Sequence, residues 1–260
     1  MLGQTTTELS LSDLFSELWK AAQKMHELQE QFFMFYDAKR EMERLARLTS
    51  EALMEAVSEG IGSIEDNQPR AEMLENLRQN VYVFSQFKTY QLLRQATHLV
   101  TTKDGKLKPF SEFRKDIEKL DTLYNVNYLR AEYNHSVGSS QQAAIWADAW
   151  ENRELFDLQF DATNDQRTRP EHAALEGIVR PVDDPFWNIY YPPLGWNCRC
   201  TVRTIVKGDK KLSNVAGKDG SELPEMFRSN VGKQGVVFPE KHPYFSNNEA
   251  GKFKTEIERI

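Results

Sequence analysis

The stretch Leu155-Phe-Asp-Leu-Gln-Phe160 marks the point where the chain changes from helical to strand-like patterning. Apolar and polar residues alternate along it, which is the period of a strand with one buried face. Five of the ten prolines of the chain then fall within 24 positions, at 170, 181, 185, 192 and 193, and favour short strands and shaped loops over helices. The clearest further strand is predicted over residues 198–206.

Upstream of this stretch, the first 150 residues are predicted to be helical. Neither glycine nor proline occurs from Gln4 to Glu59. Apolar residues recur at the spacing of one buried helical face, at Leu11, Leu14, Phe15, Leu18, Trp19, Ala22 and Met25. This pattern predicts one long helix, or two helices joined near Thr49–Ser50, ending at residues 60–63.

Three further helices are predicted before residue 150. The first starts near Pro69, because proline suits the first helical turn. The second is short, follows a turn over residues 103–108 and is capped by Ser111. The third runs from about residue 121 to 150, with a kink or break at Gly138. The sequence therefore predicts an α+β protein, in which a long-helix region precedes a small mixed α/β domain of short strands and proline-rich loops.

Composition and charge exclude several classes of function. The 260 residues are 40% apolar and 28% charged, with a net charge of -6, which is typical of a folded protein. The short basic clusters at residues 103–108 and 207–211 are each interrupted by an acid, so extensive DNA binding is not expected. The N-terminus lacks the basic start and apolar core of a secretory signal, and no apolar stretch approaches the roughly 18 residues of a membrane helix. We therefore expect no membrane association.

The two cysteines, Cys198 and Cys200, form the strongest candidate metal motif together with His172. On a predicted strand, residues two apart point to the same face, and two thiolates with an imidazole are zinc-type ligands. The candidates for a fourth ligand are Asp165, Asp161 and His135. Inert, buried cysteines are an equally weighted alternative, and a disulfide between them ranks third because it would be strained. Two cysteines exclude a disulfide framework and favour a reducing compartment.

No catalytic motif is recognised in the sequence. There is no Walker loop, GxGxxG, GxSxG or HExxH, and the His-x-Glu and Pro-Cys-x-x-Cys spacings of nucleic-acid deaminases do not occur. Cys198 and His172 resemble a nucleophile and its base, but their separation in the sequence fixes no geometry. We expect no enzymatic activity and no small-molecule substrate. The alternative is a metal-dependent hydrolase with its site around His172, Cys198 and Cys200.

Several ordered blocks of the sequence resemble the phage Mu F-like minor head proteins. The blocks are Asp165-Gln-Arg-Thr-Arg-Pro-Glu-His172, Leu175-Glu-Gly177, Asp184-Pro-Phe-Trp187 and Tyr191-Pro-Pro-Leu-Gly-Trp-Asn-Cys-Arg-Cys-Thr-Val202. The preceding helix is similar as well, and residues 230–244 fit the looser tail of the family. The resemblance covers about residues 121–206, and its signature falls on Asp165, Arg167, Arg169, His172, Gly177, Trp187, Trp196, Cys198, Arg199 and Cys200.

The resemblance implies three regions: a helical region at 1–120, a Mu F-like domain at 121–206, and an irregular tail at 207–260 that packs on the domain or extends from it. It implies a low-copy structural protein of a tailed-phage or prophage head, acting in head morphogenesis near the portal. Such domains also form the front part of longer toxin proteins, an interpretation that is least expected here because only 54 residues follow Val206 and their pattern is irregular.

The expected partners and locations follow from the same resemblance. The partners are the portal or other head proteins, with packaged DNA as an indirect partner. The locations are the virion head and, during assembly, the host cytoplasm. The signature residues are expected to lock the fold or to bind a metal ion, with zinc as the candidate.

Overall fold

The computed structural model describes residues 5–27, 39–62 and 68–245, and for residues 5–12, 25–27, 39–41 and 68 it describes the backbone alone. The fold is α+β, as predicted. The long helices are α1 (Thr5–Glu27), α2 (Lys39–Ile61), α3 (Gln68–Leu99), α4 (Phe110–Asp121) and α5 (Leu129–Glu151), with a π-helical segment at Thr122–Tyr128. None of the described helices is long and apolar enough to cross a membrane.

The C-terminal end of α2 and the start of α3 lie where the sequence predicts them. α2 ends at Ile61, and Gly62 follows with φ +72, a left-handed conformation that favours glycine. α3 starts at Gln68, directly before Pro69. The predicted junction at Thr49–Ser50 is wrong, because α2 runs through both residues and the Thr49 hydroxyl donates to the Leu45 carbonyl one turn earlier. Residues 28–38, between α1 and α2 in the sequence, lie outside the described residues.

The irregular point of the later helices is the π-helical segment and not Gly138. α5 is continuous through Gly138, so the predicted break there is wrong, and a kink stays a prediction. The widened turns of a π-helix free backbone carbonyls, and the buried Lys88 ammonium on α3 donates to the Tyr124 carbonyl at 3.0 Å. The predicted cap at Ser111 is also wrong, since α4 starts at Phe110 after Pro109.

The sheet has three antiparallel strands in the order β2-β1-β3: β1 (Phe156–Asp161), β2 (Val179–Pro181) and β3 (Thr201–Val206). The strand predicted at residues 155–160 is therefore confirmed. Leu158 of β1 lies opposite Arg180 of β2 and Thr204 of β3. The second predicted strand starts three residues later than expected, at Thr201, because the chain before it turns.

Four short elements complete the described chain: α6 (Pro170–Ala173), α7 (Trp187–Tyr190), a 3-10 turn (Glu225–Phe227) and α8 (Val231–Gln234). The rest of residues 207–245 is irregular. Asn80 of α3 binds this segment through both main-chain groups of Phe238, at 3.1 Å and 2.8 Å. Lys210 donates to the Gln159 side chain of β1 at 2.7 Å. Residues 246–260 of the predicted tail lie outside the described residues.

The chain divides into two units. The first comprises the described parts of Met1–Leu53, Tyr82–Ala131 and Tyr244–Ile260, and the second comprises Met54–Val81 and Glu132–Pro243. In the first, α1 packs against α4 and the π-helical segment. Leu14, Leu18 and Ala22 of α1 are fully buried, as their spacing predicts. The second contains the whole sheet. The boundaries predicted at residues 120 and 206 stay a prediction.

Candidate metal centre

Three side chains with metal-binding atoms converge in the second unit. The Nδ1 atom of His172 lies 3.6 Å from the Cys198 Sγ and 3.8 Å from the Cys200 Sγ. The three atoms all lie within 4.8 Å of one another. Among the described residues, no other group of three or more histidine, cysteine or acidic side chains is spaced for one ion. The structure thus brings together the three residues of the predicted motif.

The short helix α6 places His172. Pro170 occupies its first turn, after Arg169 in an extended conformation, and the His172 side chain is buried with 2% of its surface exposed. The helix is tied to β1 by Gly177, whose N–H donates to the Phe160 carbonyl at 3.0 Å. Gly177 has φ +73, which a residue with a side chain rarely adopts, and this explains its place in the signature.

The loop before β3 places the two cysteines, so the prediction that they lie on a strand is wrong. The Cys198 N–H donates to the Gly195 carbonyl at 3.1 Å, and Asn197 has a left-handed φ of 56. The Arg169 guanidinium donates to the Trp196 carbonyl at 2.9 Å. A Cβ atom at Gly195 would lie 3.1 Å from Arg169 Nη1, so glycine leaves room for the guanidinium. The two sulfur atoms lie close together, as predicted, but the cause is this turn and not the alternation of side chains along a strand.

Asp165 is outside the group. Its two carboxylate oxygens each accept from one Arg199 nitrogen at 2.7 Å, a bidentate pair, and the Arg167 N–H donates to it at 2.9 Å. The hydrogen bonds from Arg199 are the main cause that holds the pKa of Asp165 well below its usual range. The Arg167 side chain itself lies farther off, with Nε 3.9 Å from Asp165.

The two other residues considered as a fourth ligand are also outside the group. Asp161 lies 3.8 Å from the Arg203 Nε. His135 is buried, its Nε2 lies 3.2 Å from the Val237 carbonyl, and its ring packs against Trp196 with centroids 5.1 Å apart. Within the described part of the chain, the group therefore consists of the His172, Cys198 and Cys200 side chains.

The two thiols shift each other's pKa in opposite directions. The hydrogen bond with the Cys200 thiol is the main cause that lowers the pKa of Cys198, and His172 and the backbone of Cys200 and Leu194 lower it further. The hydrogen bond with Cys198, burial and the charge on Cys198 raise the pKa of Cys200 above its ordinary value. Both cysteines are free, so the disulfide alternative is wrong for this structure.

A cavity of about 450 Å³ borders the cysteines, with Cys198, Arg199 and Cys200 in its wall. Gln142 of α5 lines the same cavity and was missed by sequence reasoning. Its side chain donates to the Thr201 hydroxyl at 2.8 Å and accepts from the Val202 N–H at 3.2 Å, so it positions the start of β3. One signal in the sequence could have indicated its role: Gln142 is a polar residue directly before the apolar residues Ala143, Ala144 and Trp146 of the same helix.

The two tryptophans of the signature pack inside the second unit, Trp187 in its core and Trp196 partly exposed. Trp187 is fully buried, and its Nε1 donates to the Pro181 carbonyl at 2.9 Å. Trp196 packs edge-on against Phe227, with ring centroids 5.5 Å apart.

Residues 103–203 match the family described as phage Mu protein F like protein. This segment is a Mu F-like domain. The match starts before residue 121, where the resemblance was expected to begin. It includes α4, the π-helical segment, α5, β1, β2, the first half of β3, and His172, Cys198 and Cys200.

Two relatives are similar to parts of this chain. Over 133 residues the chain is 43% identical to "Putative capsid assembly protein F" of Escherichia phage Mu, covering 50% of this chain and 28% of the relative. Over 68 residues it is 41% identical to the Mu-like prophage FluMu F protein of Haemophilus influenzae, covering 26% of this chain and 16% of the relative. The chain thus spans 28% of the length of the first relative and 16% of the second. No solved structure matches it significantly.

Proposed function

We propose that this chain is a minor structural protein of a tailed-phage or prophage head, acting in head assembly near the portal. The observation that carries the proposal is the 43% identity, over half of this chain, to a phage Mu protein whose name describes capsid assembly. A role in capsid assembly implies binding to other head proteins, with the portal protein as the proposed partner and the virion head as the proposed location.

The character of the second unit supports a structural function. Its loops are held by bonds from side chains to main-chain groups, including Tyr191 to the Gln142 carbonyl at 2.8 Å and Arg180 to the Ser213 carbonyl at 2.9 Å. Bonds of this kind give a loop one conformation, which suits a surface that other proteins recognise. The net charge of -6 favours protein partners over a direct contact with DNA.

The hydrolase alternative is not favoured by the geometry. A metal-dependent hydrolase needs a carboxylate or another base beside the metal-bound water. Asp165, the carboxylate considered first as a fourth ligand, is instead held by two nitrogens of the Arg199 guanidinium.

The proposal is tested in the phage or prophage that encodes the chain, by deleting the gene and restoring it from a plasmid. We expect deletion to lower the yield of infectious particles, with empty or misassembled heads in electron micrographs, and the plasmid copy to restore them. A plasmid copy with an early stop codon is the matched control. Normal heads and an unchanged titre after deletion would contradict a role in assembly.

The position near the portal needs a separate measurement. Purified heads are treated with a short amine-reactive cross-linker, and peptides cross-linked to this chain are identified by mass spectrometry. Cross-links to the portal protein are expected. Cross-links confined to the major capsid protein would remove the portal from the proposal and leave the role in assembly.

A further inference from the structure

The distances around His172 match those of a tetrahedral zinc site. Zinc binds thiolate sulfur at about 2.3 Å and imidazole nitrogen at about 2.0–2.1 Å, so the nitrogen and a sulfur in one tetrahedron lie about 3.6 Å apart. The observed separations from Nδ1 are 3.6 Å to Cys198 and 3.8 Å to Cys200. One ion could therefore contact all three atoms with only small side-chain movements.

Hydrogen bonds from the two thiols to His172 explain these distances less well than a shared metal ion does. The Nδ1 atom of a histidine carries either one N–H or one lone pair, so it makes one good hydrogen bond at a time. Here two sulfur atoms lie at nearly the same distance from it. A metal ion takes one lone pair from each of the three atoms and satisfies all of them.

Packing holds the candidate ligands in place. Cys200 and His172 are buried, at 7% and 2% exposure, so their positions are set before any ion arrives.

We propose that Cys198, Cys200 and His172 bind one zinc ion through two sulfur atoms and Nδ1, with a water molecule from the adjoining cavity as the fourth ligand. The water follows from two observations: Asp165 is paired with Arg199, and both cysteines border the cavity. Zinc is the chosen ion because two thiolates and an imidazole are its usual ligands.

Binding is balanced by the release of protons. The two cysteines bind as thiolates, so the protons that they carry in the metal-free protein pass to the solvent. The imidazole binds as a neutral ligand, with its remaining proton on Nε2. The ion then links α6 to the loop before β3, two segments that are 26 residues apart between His172 and Cys198.

The first experiment measures zinc in the full-length chain, purified without a metal-affinity tag and dialysed against zinc and then against buffer. About one zinc per chain is expected. In Cys198→Ser, Cys200→Ser and His172→Gln we expect zinc affinity to fall by more than the roughly 10–100-fold typical of losing an outer partner of a ligand. His98→Gln, which changes an exposed histidine of α3, is the matched control and should keep the metal.

Asp165→Asn separates a three-ligand site from a four-ligand site. If water is the fourth ligand, this variant keeps about one zinc per chain. If Asp165→Asn loses zinc as completely as His172→Gln does, the assignment of water as the fourth ligand is wrong. Wild-type protein that holds no zinc after dialysis would overturn the proposal as a whole.

A second measurement needs no variant and so does not depend on whether the substituted chains fold. X-ray absorption of the zinc-loaded wild type should show two sulfur atoms at about 2.3 Å and two lighter atoms at about 2.0–2.1 Å. The cobalt-loaded protein should show thiolate-to-cobalt charge transfer and the visible bands of tetrahedral cobalt. A spectrum with fewer than two sulfur atoms would overturn the assignment of both cysteines.

Discussion

The two units are stabilised in different ways. In the first, the buried side chains come from the faces of helices, such as Phe113, Ile117 and Leu120 along α4. In the second, much of the order comes from single bonds between a side chain and one main-chain group, as with Trp187 and the Pro181 carbonyl. A buried position on an apolar helix face accepts substitution by another apolar side chain of similar volume. A side chain that donates to one main-chain carbonyl is harder to replace, because the new residue must also place a donor there. This difference explains why the signature from Asp165 to Cys200 lies in the second unit.

The largest expected loss of stability comes from a buried aromatic residue of the second unit, and one from the first unit serves as the comparison. Trp187→Leu removes a fully buried ring and the donor to the Pro181 carbonyl, so it should lower the free energy of unfolding by about 3 kcal/mol. Phe113→Leu replaces a fully buried apolar ring by another apolar side chain and should cost about 1 kcal/mol. Urea denaturation, followed by hydrogen exchange to resolve the units, measures both. Equal losses would break the comparison between the units.

A smaller effect is expected at two glycines of the second unit. A Cβ atom at Gly232 in α8 would lie 2.1 Å from the Trp146 Cβ, so Gly232→Ala must displace α8 and should cost about 1–3 kcal/mol. Gly138 in α5 has open space at the same position, and Gly138→Ala should stabilise the protein by about 0.5–1 kcal/mol. Thermal unfolding of the two variants side by side checks the opposite signs. A gain in stability for Gly232→Ala would show that the close contact is not required.

The smallest effect concerns pH and the buried His135. Burial is the main cause that lowers the pKa of His135 from 6.5 to about 4, against a weaker opposing effect of the Val237 carbonyl. Between these values the unfolded chain binds the proton and the folded protein does not, so the free energy of unfolding falls as pH decreases from about 6.5 toward 4. The contribution of His135 should reach about 1 kcal/mol at pH 5.5, above the range where most carboxylates titrate.

The measurement for His135 is urea denaturation at pH 7.5 and 5.5. His135→Phe should lose less stability between these pH values than the wild type, because it has no imidazole to protonate. His98→Gln, at an exposed histidine of the first unit, is the control. If the wild type and His135→Phe show the same change with pH, the buried imidazole is not a source of the pH dependence.

Sequence patterns predicted the parts of this fold that depend on neighbouring residues. The buried face of α1, the end of α2 before Gly62 and the strand at residues 156–161 follow from periods of 3.6 and 2 and from glycine and proline, because these effects act within a few positions. The features that the sequence placed wrongly depend on contacts between residues far apart in the chain. The irregular turns lie at Thr122–Tyr128, where Lys88 from another helix reaches the Tyr124 carbonyl, and not at Gly138.

The sequence by itself determined the fold class, the resemblance to the Mu F-like proteins and the three residue types that could bind zinc. Only the tertiary structure decided that His172, Cys198 and Cys200 meet, and that Asp165 pairs with Arg199 instead of joining them. The physical reason is the distance along the chain. Contacts between residues 26 or more positions apart depend on how α6, the sheet and the loop before β3 pack together, and no local period encodes that packing.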